Sequence, residues 1–227
     1  MAPVTGAFGK MPALGDFFRI ALPPGFTDPW DAWQQRMLMA ARGALGGRWQ
    51  GCYLSAPIWR FTLAAGIAGP WAVQGVLMPS VDRVGREYPL TLAMMRPPVD
   101  AALPAHLAAD ATFDAMEALA LAALDDDMTR EGLAQGLAGL PVPGAVAAPG
   151  LARVSHDAGQ VAVSLPQGQS MAGLLVASDL HRPVVWSSRL AGRDLVMAGN
   201  ALLPDRAAVR LFDPVGSFDL DAEGTTA

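Results

Sequence analysis

The chain has 227 residues, 52% hydrophobic and 16% charged, so it can build a sizeable core and does not have a disordered chain's composition. With 16 Lys and Arg against 21 Asp and Glu the formal net charge is -5, which excludes a basic surface for nucleic acid. A single cysteine, Cys52, excludes an internal disulfide framework and points to a reducing compartment.

In chain order, Val4 to Phe8 reads as a first or edge strand, and Gly9 to Pro24 as a Gly- and Pro-rich loop. The N-terminal segment lacks a basic start followed by an apolar run, so no secretory signal is expected. A helix follows, with Thr27 or Asp28 as N-cap, Pro29 at the first helical position and Asp31 at the positive end of the dipole. Its apolar face is expected to be Trp30, Trp33, Met37, Ala41, Ala44 and Leu45, and Gly46-Gly47 should end it.

Ile58 to Leu63, Ala72 to Met78 and Tyr88 to Met94 read as three strands. Their short connections favour antiparallel pairing, because a parallel crossover needs a dozen or more residues. Ala105 to Leu124 is expected as a helix with Leu107, Phe113, Met116, Ala120 and Leu124 on one stripe. Asp125-Asp126-Asp127 would oppose a helix C-terminus, so the triplet reads as a break, with Asp127 capping a short helix from Met128 to about Leu137.

Leu140 to Gly150 is a loop and the sole candidate division. A single domain over 1–227 is expected, with a motif-dense half (1–100), a plainer half (101–218) and a frayed tail (219–227). The plainer half should add strands at Val161–Leu165, Ala172–Ala177 and Val184–Ser187 and a helix at Pro204–Phe212. Two uncharged runs, Phe61–Val81 and Leu133–Ala152, have the length of a membrane span. Both are interrupted by several Gly and Pro, so neither is read as one.

No Gly-x-Ser-x-Gly elbow occurs, and His106, His156 and His181 lack zinc-ligand spacing. Gly6-Ala-Phe-Gly9-Lys10 fails as a phosphate loop, with Val4 where its first glycine and Met11 where its hydroxyl residue should stand. No catalytic residue, metal ligand or cofactor is therefore assigned. What remains is a group of charges among aromatic and special-backbone residues: Lys10, Asp16, Arg60, Asp82, Arg83 and Arg86. These are the candidate interaction residues or structural ion pairs. Arg favours planar, bidentate pairing, and Lys10 is the only lysine in the chain.

Four segments carry a family resemblance: Gly6-Ala-Phe-Gly-Lys-Met-Pro-Ala-Leu-Gly-Asp-Phe17, Asp28-Pro-Trp-Asp-Ala-Trp33, Ser55-Ala-Pro-Ile-Trp-Arg-Phe61 and Gly75-Val-Leu-Met-Pro-Ser-Val-Asp-Arg-Val-Gly-Arg-Glu-Tyr-Pro-Leu90. In this order the chain resembles the TagF/ImpM family associated with bacterial type VI secretion, over about residues 4–95. Val184-Val-Trp-Ser-Ser188 carries one tryptophan, Trp186, where the family often has two, and Ala7 replaces a commoner aromatic.

The resemblance implies an α/β fold, a three-layer α/β/α sandwich around a mixed sheet, which the short links make largely antiparallel. It also implies a cytoplasmic accessory protein that represses the apparatus after translation by binding its forkhead-associated scaffold protein. Two other functions fit the same residues. One is an enzyme of phosphate chemistry using Asp16, Asp82 and the neighbouring arginines; the other is a structural subunit of the apparatus. Burial and full pairing of Asp82 would argue against the first.

Overall fold

Strands that read as nearly continuous apolar runs form the centre of the sheet, where both faces are covered. The computed structural model describes residues 3–96, 102–143, 153–157, 160–164 and 184–218. The strands are β1 (Val4–Gly9), β2 (Phe18–Ile20), β3 (Trp59–Leu63), β4 (Ala72–Met78), β5 (Leu90–Arg96), β6 (Arg153–Asp157), β7 (Gln160–Ser164), β8 (Val184–Leu190) and β9 (Arg193–Gly199). Seven of them form one sheet in the order β2-β1-β5-β4-β3-β8-β9, and β6 with β7 forms a separate hairpin. Every pairing among the described strands is antiparallel, so the sheet that the sequence suggested was largely antiparallel is wholly so here.

The helices are α1 (Pro24–Leu45), α2 (Trp49–Ser55), α3 (Ala102–Leu107), α4 (Asp110–Ala122), α5 (Arg130–Ala138), α6 (Val209–Phe212) and α7 (Pro214–Ser217). They cover both faces of the sheet, which gives the expected three-layer α/β/α arrangement. Alternation along β3 sorts its side chains between the layers. Trp59, Phe61 and Leu63 join the core beneath α1, α2 and α6. Arg60 and Thr62 face α4 and α3 on the other side. Along β5, Ala93 and Met95 enter the first core, while Leu90, Leu92 and Met94 enter the second with Phe113, Met116 and Leu133 from α4 and α5. No helix among the described residues is long and apolar enough to cross a membrane.

The first core is aromatic at its centre. Trp30 of α1 lies 4.6 Å from Trp33, 4.8 Å from Phe61 and 6.1 Å from Trp186 of β8, measured between ring centroids. A buried indole needs an acceptor, and Trp30 Nε1 donates to Thr91 Oγ1 of β5 at 2.9 Å. Gly75 of β4 makes room for this packing. A Cβ there would lie 2.3 Å from the Leu92 carbonyl oxygen and 2.6 Å from Cζ of Phe61, its cross-strand partner.

Several expected boundaries move. Helix α1 starts at Pro24, with Pro23 extended before it, so neither Thr27 nor Asp28 caps it and Pro29 lies inside it. The start belongs to Pro24, whose missing N–H costs nothing in the first turn. Ala44 is exposed, and Gly46-Gly47 leads through a 3-10 turn directly into α2, whose Trp49 and Tyr53 are buried. The single helix expected over Ala105–Leu124 is two, because α3 packs on β3 and β8 while α4 packs on β4 and β5. Leu107 and Leu124, placed on its stripe, are 49% and 39% exposed. Thr129, not Asp127, caps α5, its Oγ1 accepting from the Gly132 N–H at 2.9 Å.

The strand expected at Tyr88–Met94 starts at Leu90 and runs to Arg96, and Ile58 precedes β3. The Val161–Leu165 strand appears as β7, one residue earlier at both ends. β8 continues past Ser187 to Leu190. The Pro204–Phe212 helix is a 3-10 turn followed by the short α6. Strands β2, β6 and β9 and helices α2 and α7 had no counterpart in the sequence reading. The Ala172–Ala177 strand, most of the Leu140–Gly150 loop and the 219–227 tail lie outside the described residues.

Two glycine substitutions should move stability in opposite directions. Gly75→Ala should destabilise the protein by about 3 kcal/mol through overpacking against backbone. Gly43→Ala, on an exposed stretch of α1 with open space around it, should stabilise by about 0.5–1 kcal/mol. Urea unfolding midpoints of the two variants and the parent measure both signs.

Candidate functional site

The corner between β4 and β5, residues 79–89, is built from its own backbone. Asp82 N–H donates to the Arg86 carbonyl at 3.1 Å and Gly85 N–H to the Asp82 carbonyl at 2.8 Å, while Val81 and Glu87 form a bridge. Gly85 sits at φ 80°, a conformation that a residue with a Cβ adopts rarely. This tight turn points the Asp82 carboxylate inward, where its side chain has no exposed surface.

A buried carboxylate must be hydrogen-bonded, and Asp82 is. Oδ1 accepts from the N–H groups of Val84 at 3.1 Å and Arg86 at 2.9 Å. Oδ2 accepts from Lys10 Nζ at 2.9 Å and Arg86 Nε at 2.6 Å. Burial opposes the charge, but the Arg86 N–H, the Lys10 ammonium, the Arg86 guanidinium and the Val84 N–H together hold the carboxyl well below the usual carboxylate range. Arg86 Nη2 also donates to the Gly15 carbonyl at 2.7 Å. Arg83 donates its backbone N–H to Leu14 at 2.9 Å and its Nη2 to Ala13 at 2.5 Å. The corner therefore clamps the loop that follows β1.

Aromatic residues close the clamp. Lys10 Nζ lies 4.8 Å from the Phe17 ring centroid, and Phe17 meets Tyr88 edge-on at 4.6 Å. The Tyr88 hydroxyl donates to Asp31 of α1. Burial, then the Asp31 carboxylate, push that phenol above its ordinary range. Tyr53 of α2 donates to the Ser80 carbonyl at 2.7 Å, and Glu87 accepts from Trp49 Nε1 and Arg42, each at 2.6 Å.

Of the six residues that the sequence groups, Lys10, Asp82 and Arg86 share one site, with Arg83 at its rim. Asp16 and Arg60 do not join it. Asp16 is exposed and its Oδ1 accepts from the N–H of its own neighbour, Phe17, at 2.8 Å. Its place among aromatic and special-backbone residues put it in the charge group, but the loop turns its carboxylate onto backbone.

Arg60 is buried on the opposite face, beneath α4. Its Nε and Nη2 donate to Glu117 at 2.6 and 2.8 Å, Nη2 also to Asp114 at 2.5 Å, and Nη1 to Asp110 at 3.2 Å. The Glu117 hydrogen bonds and Asp114 raise its pKa against the opposing effect of burial. Sequence reading missed these acids, although Asp110, Asp114 and Glu117 follow helical spacing and an arginine inside an apolar strand requires such partners.

Beside them, His106 is buried between Thr62 Oγ1 and Ser187 Oγ, 2.8 Å from each. Burial, with Arg60 nearby, pushes its pKa down to about 3, so it is neutral at pH 7. Nothing in its local sequence marked this position. Among the described residues no group of three or more His, Cys, Asp or Glu is arranged to hold a metal ion.

Comparison with known proteins bears on what this arrangement serves. The model of a family described as the TagF N-terminal domain, type VI secretion system-associated, matches residues 6–140. A solved structure, PA0076 from Pseudomonas aeruginosa PAO1, is similar with a TM-score of 0.72 and 33% sequence identity, covering 92% of this chain and 93% of that one. No curated protein matches the chain.

Two groups should give acid sensitivity that begins at different pH. His106 has a folded pKa of about 3, below its ordinary 6.5, so its contribution to stability is full above pH 6.5 and falls as acid charges the unfolded state. His106→Gln should flatten the stability profile between about pH 6.5 and pH 4. Asp82 is also depressed, so its contribution is present above about pH 4 and lost below it. The gap in urea midpoint between the parent and Asp82→Asn should be large at pH 7 and begin to shrink only below about pH 4. Asp16→Asn, at an exposed side chain, should leave the midpoint at pH 7 nearly unchanged.

Proposed function

The chain belongs to the TagF family of type VI secretion system-associated proteins, and from that premise we propose that it represses the secretion apparatus by binding, after the apparatus is made. The proposed partner is the forkhead-associated scaffold protein, bound in the cytoplasm without catalysis. The observation that carries the binding reading is the state of the Asp82 corner. Its carboxylate is sealed and its four hydrogen bonds come from within the chain, which leaves it no surface on which to meet a substrate.

The rim of the same corner is open. Phe17 is 48% and Val84 73% exposed, with Arg83 and Arg86 beside Val84 at the surface. Aromatic and arginine side chains held by a rigid turn are the residue types that dominate binding hot spots. Lys10 and Asp82 then act by positioning that rim. Arg86 does both, so reversing its charge would disturb Asp82 as well as any partner.

The test is co-elution of the purified chain with the scaffold protein, alongside secretion assays in a deletion strain. Deletion should raise secretion, and the parent chain should restore repression and bind the scaffold. A Val84→Glu variant, changed at a side chain that is 73% exposed, should bind at least tenfold more weakly with its unfolding midpoint nearly unchanged. If the parent chain binds no component of the apparatus and deletion leaves secretion unaltered, the proposal fails. Phosphoester turnover that Asp82→Asn abolishes would replace it with an enzyme.

A further inference from the structure

A cavity of about 590 Å³ opens on the far side of the sheet's first core, between β8, β9 and the segment leading into α6. Its size falls within the range of small-molecule sites, which are concave, mostly apolar and carry a few convergent polar groups. Trp186, Met197, Leu202 and Leu203 supply an apolar wall. Arg206 and Arg210 supply the charge, and among the described residues no carboxylate lines the cavity.

That electrostatic character is unusual for this molecule. The chain as a whole carries a net charge of -5, and its other arginines at the sites described above are held by carboxylates or carbonyls. Arg206 and Arg210 are exposed and have no ion-pair partner among the described residues. The adjacent acid, Asp205, lies 3.9 Å from Arg36 instead. The buried indole N–H of Trp186 also has no acceptor among the described residues. A site with two free guanidinium groups at its edge and an apolar wall complements an anionic head attached to an apolar body.

We infer that this cavity binds a small amphipathic anion, with a carboxylate or phosphate head on Arg206 and Arg210 and an alkyl body against Met197, Leu202 and Leu203. At about 30 Å³ per non-hydrogen atom the space admits roughly twenty such atoms, enough for a ten-carbon chain and its head group. The site shares no residue with the Asp82 corner, so the inference stands apart from the proposed partner binding.

Isothermal titration of the full chain with decanoate, decyl phosphate and decanol tests it. One of the two anions should bind saturably with one site per chain, and the tighter of the two identifies the head group. Decanol, with the same chain and no charge, should bind at least tenfold more weakly. An Arg206→Glu, Arg210→Glu variant should lose at least tenfold in affinity for the anion while keeping its far-ultraviolet dichroism and unfolding midpoint. Absence of saturable binding by both anions overturns the inference, as does equal affinity for decanol or unchanged affinity in the variant.

Discussion

A carboxylate with no exposed surface, kept charged by four hydrogen bonds, is the constraint around which the N-terminal half is arranged. A buried charge is tolerable only when every partner is in place. Lys10 must leave β1 at the right angle, and Gly9 permits this with φ 134°; a Cβ there would lie 2.2 Å from the Pro89 carbonyl oxygen. The turn must close so that two N–H groups face Oδ1. The loop after β1 must lie against Arg83 and Arg86. Each requirement couples an element to the corner, and Tyr88, Glu87 and Ser80 extend the coupling to α1 and α2.

The two faces of the sheet solve the burial of polar groups differently. Beneath α1 the core is aromatic and three of its indoles find single acceptors: Thr91 for Trp30, Leu203 for Trp33 and Leu211 for Trp59. Beneath α3 and α4 the sheet sends up Arg60, Thr62 and Gln74, and the helices answer with carboxylates, His106 and the Ala105 carbonyl. The acids that hold Arg60 are themselves partly exposed, with side chains 67%, 56% and 25% accessible for Asp110, Asp114 and Glu117. The guanidinium is thus buried while much of its countercharge stays hydrated, which limits the desolvation cost of the cluster.

Elements whose own periodicity decides them were legible in the sequence. The buried stripe of α1 from Trp30 to Ala41 and the centres of β3, β4 and β5 are examples. Elements decided by long-range partners were not. The three-residue β2 exists because β1 offers it an edge, and β9 because β8 does. The break between α3 and α4 depends on which strand each helix covers. At the candidate site, Lys10, Asp82 and Arg86 lay in motif segments dense enough to group. Arg60 was grouped with them as a charge set among aromatic residues, Trp59 and Phe61, yet the pleat sends it to the opposite face. No local sign in the sequence marks which face of the sheet Arg60 takes.

The order of the strands has a consequence for synthesis on the ribosome. β1 pairs with β5, so Val4 waits for Met95, and β3 pairs with β8, so Phe61 waits for Trp186. Translation adds roughly 5–20 residues per second, so an apolar strand edge is left open for several seconds after the corner has been made. Until Trp186 is added, the nascent chain holds Trp30, Trp33 and Phe61 without the indole that completes their cluster.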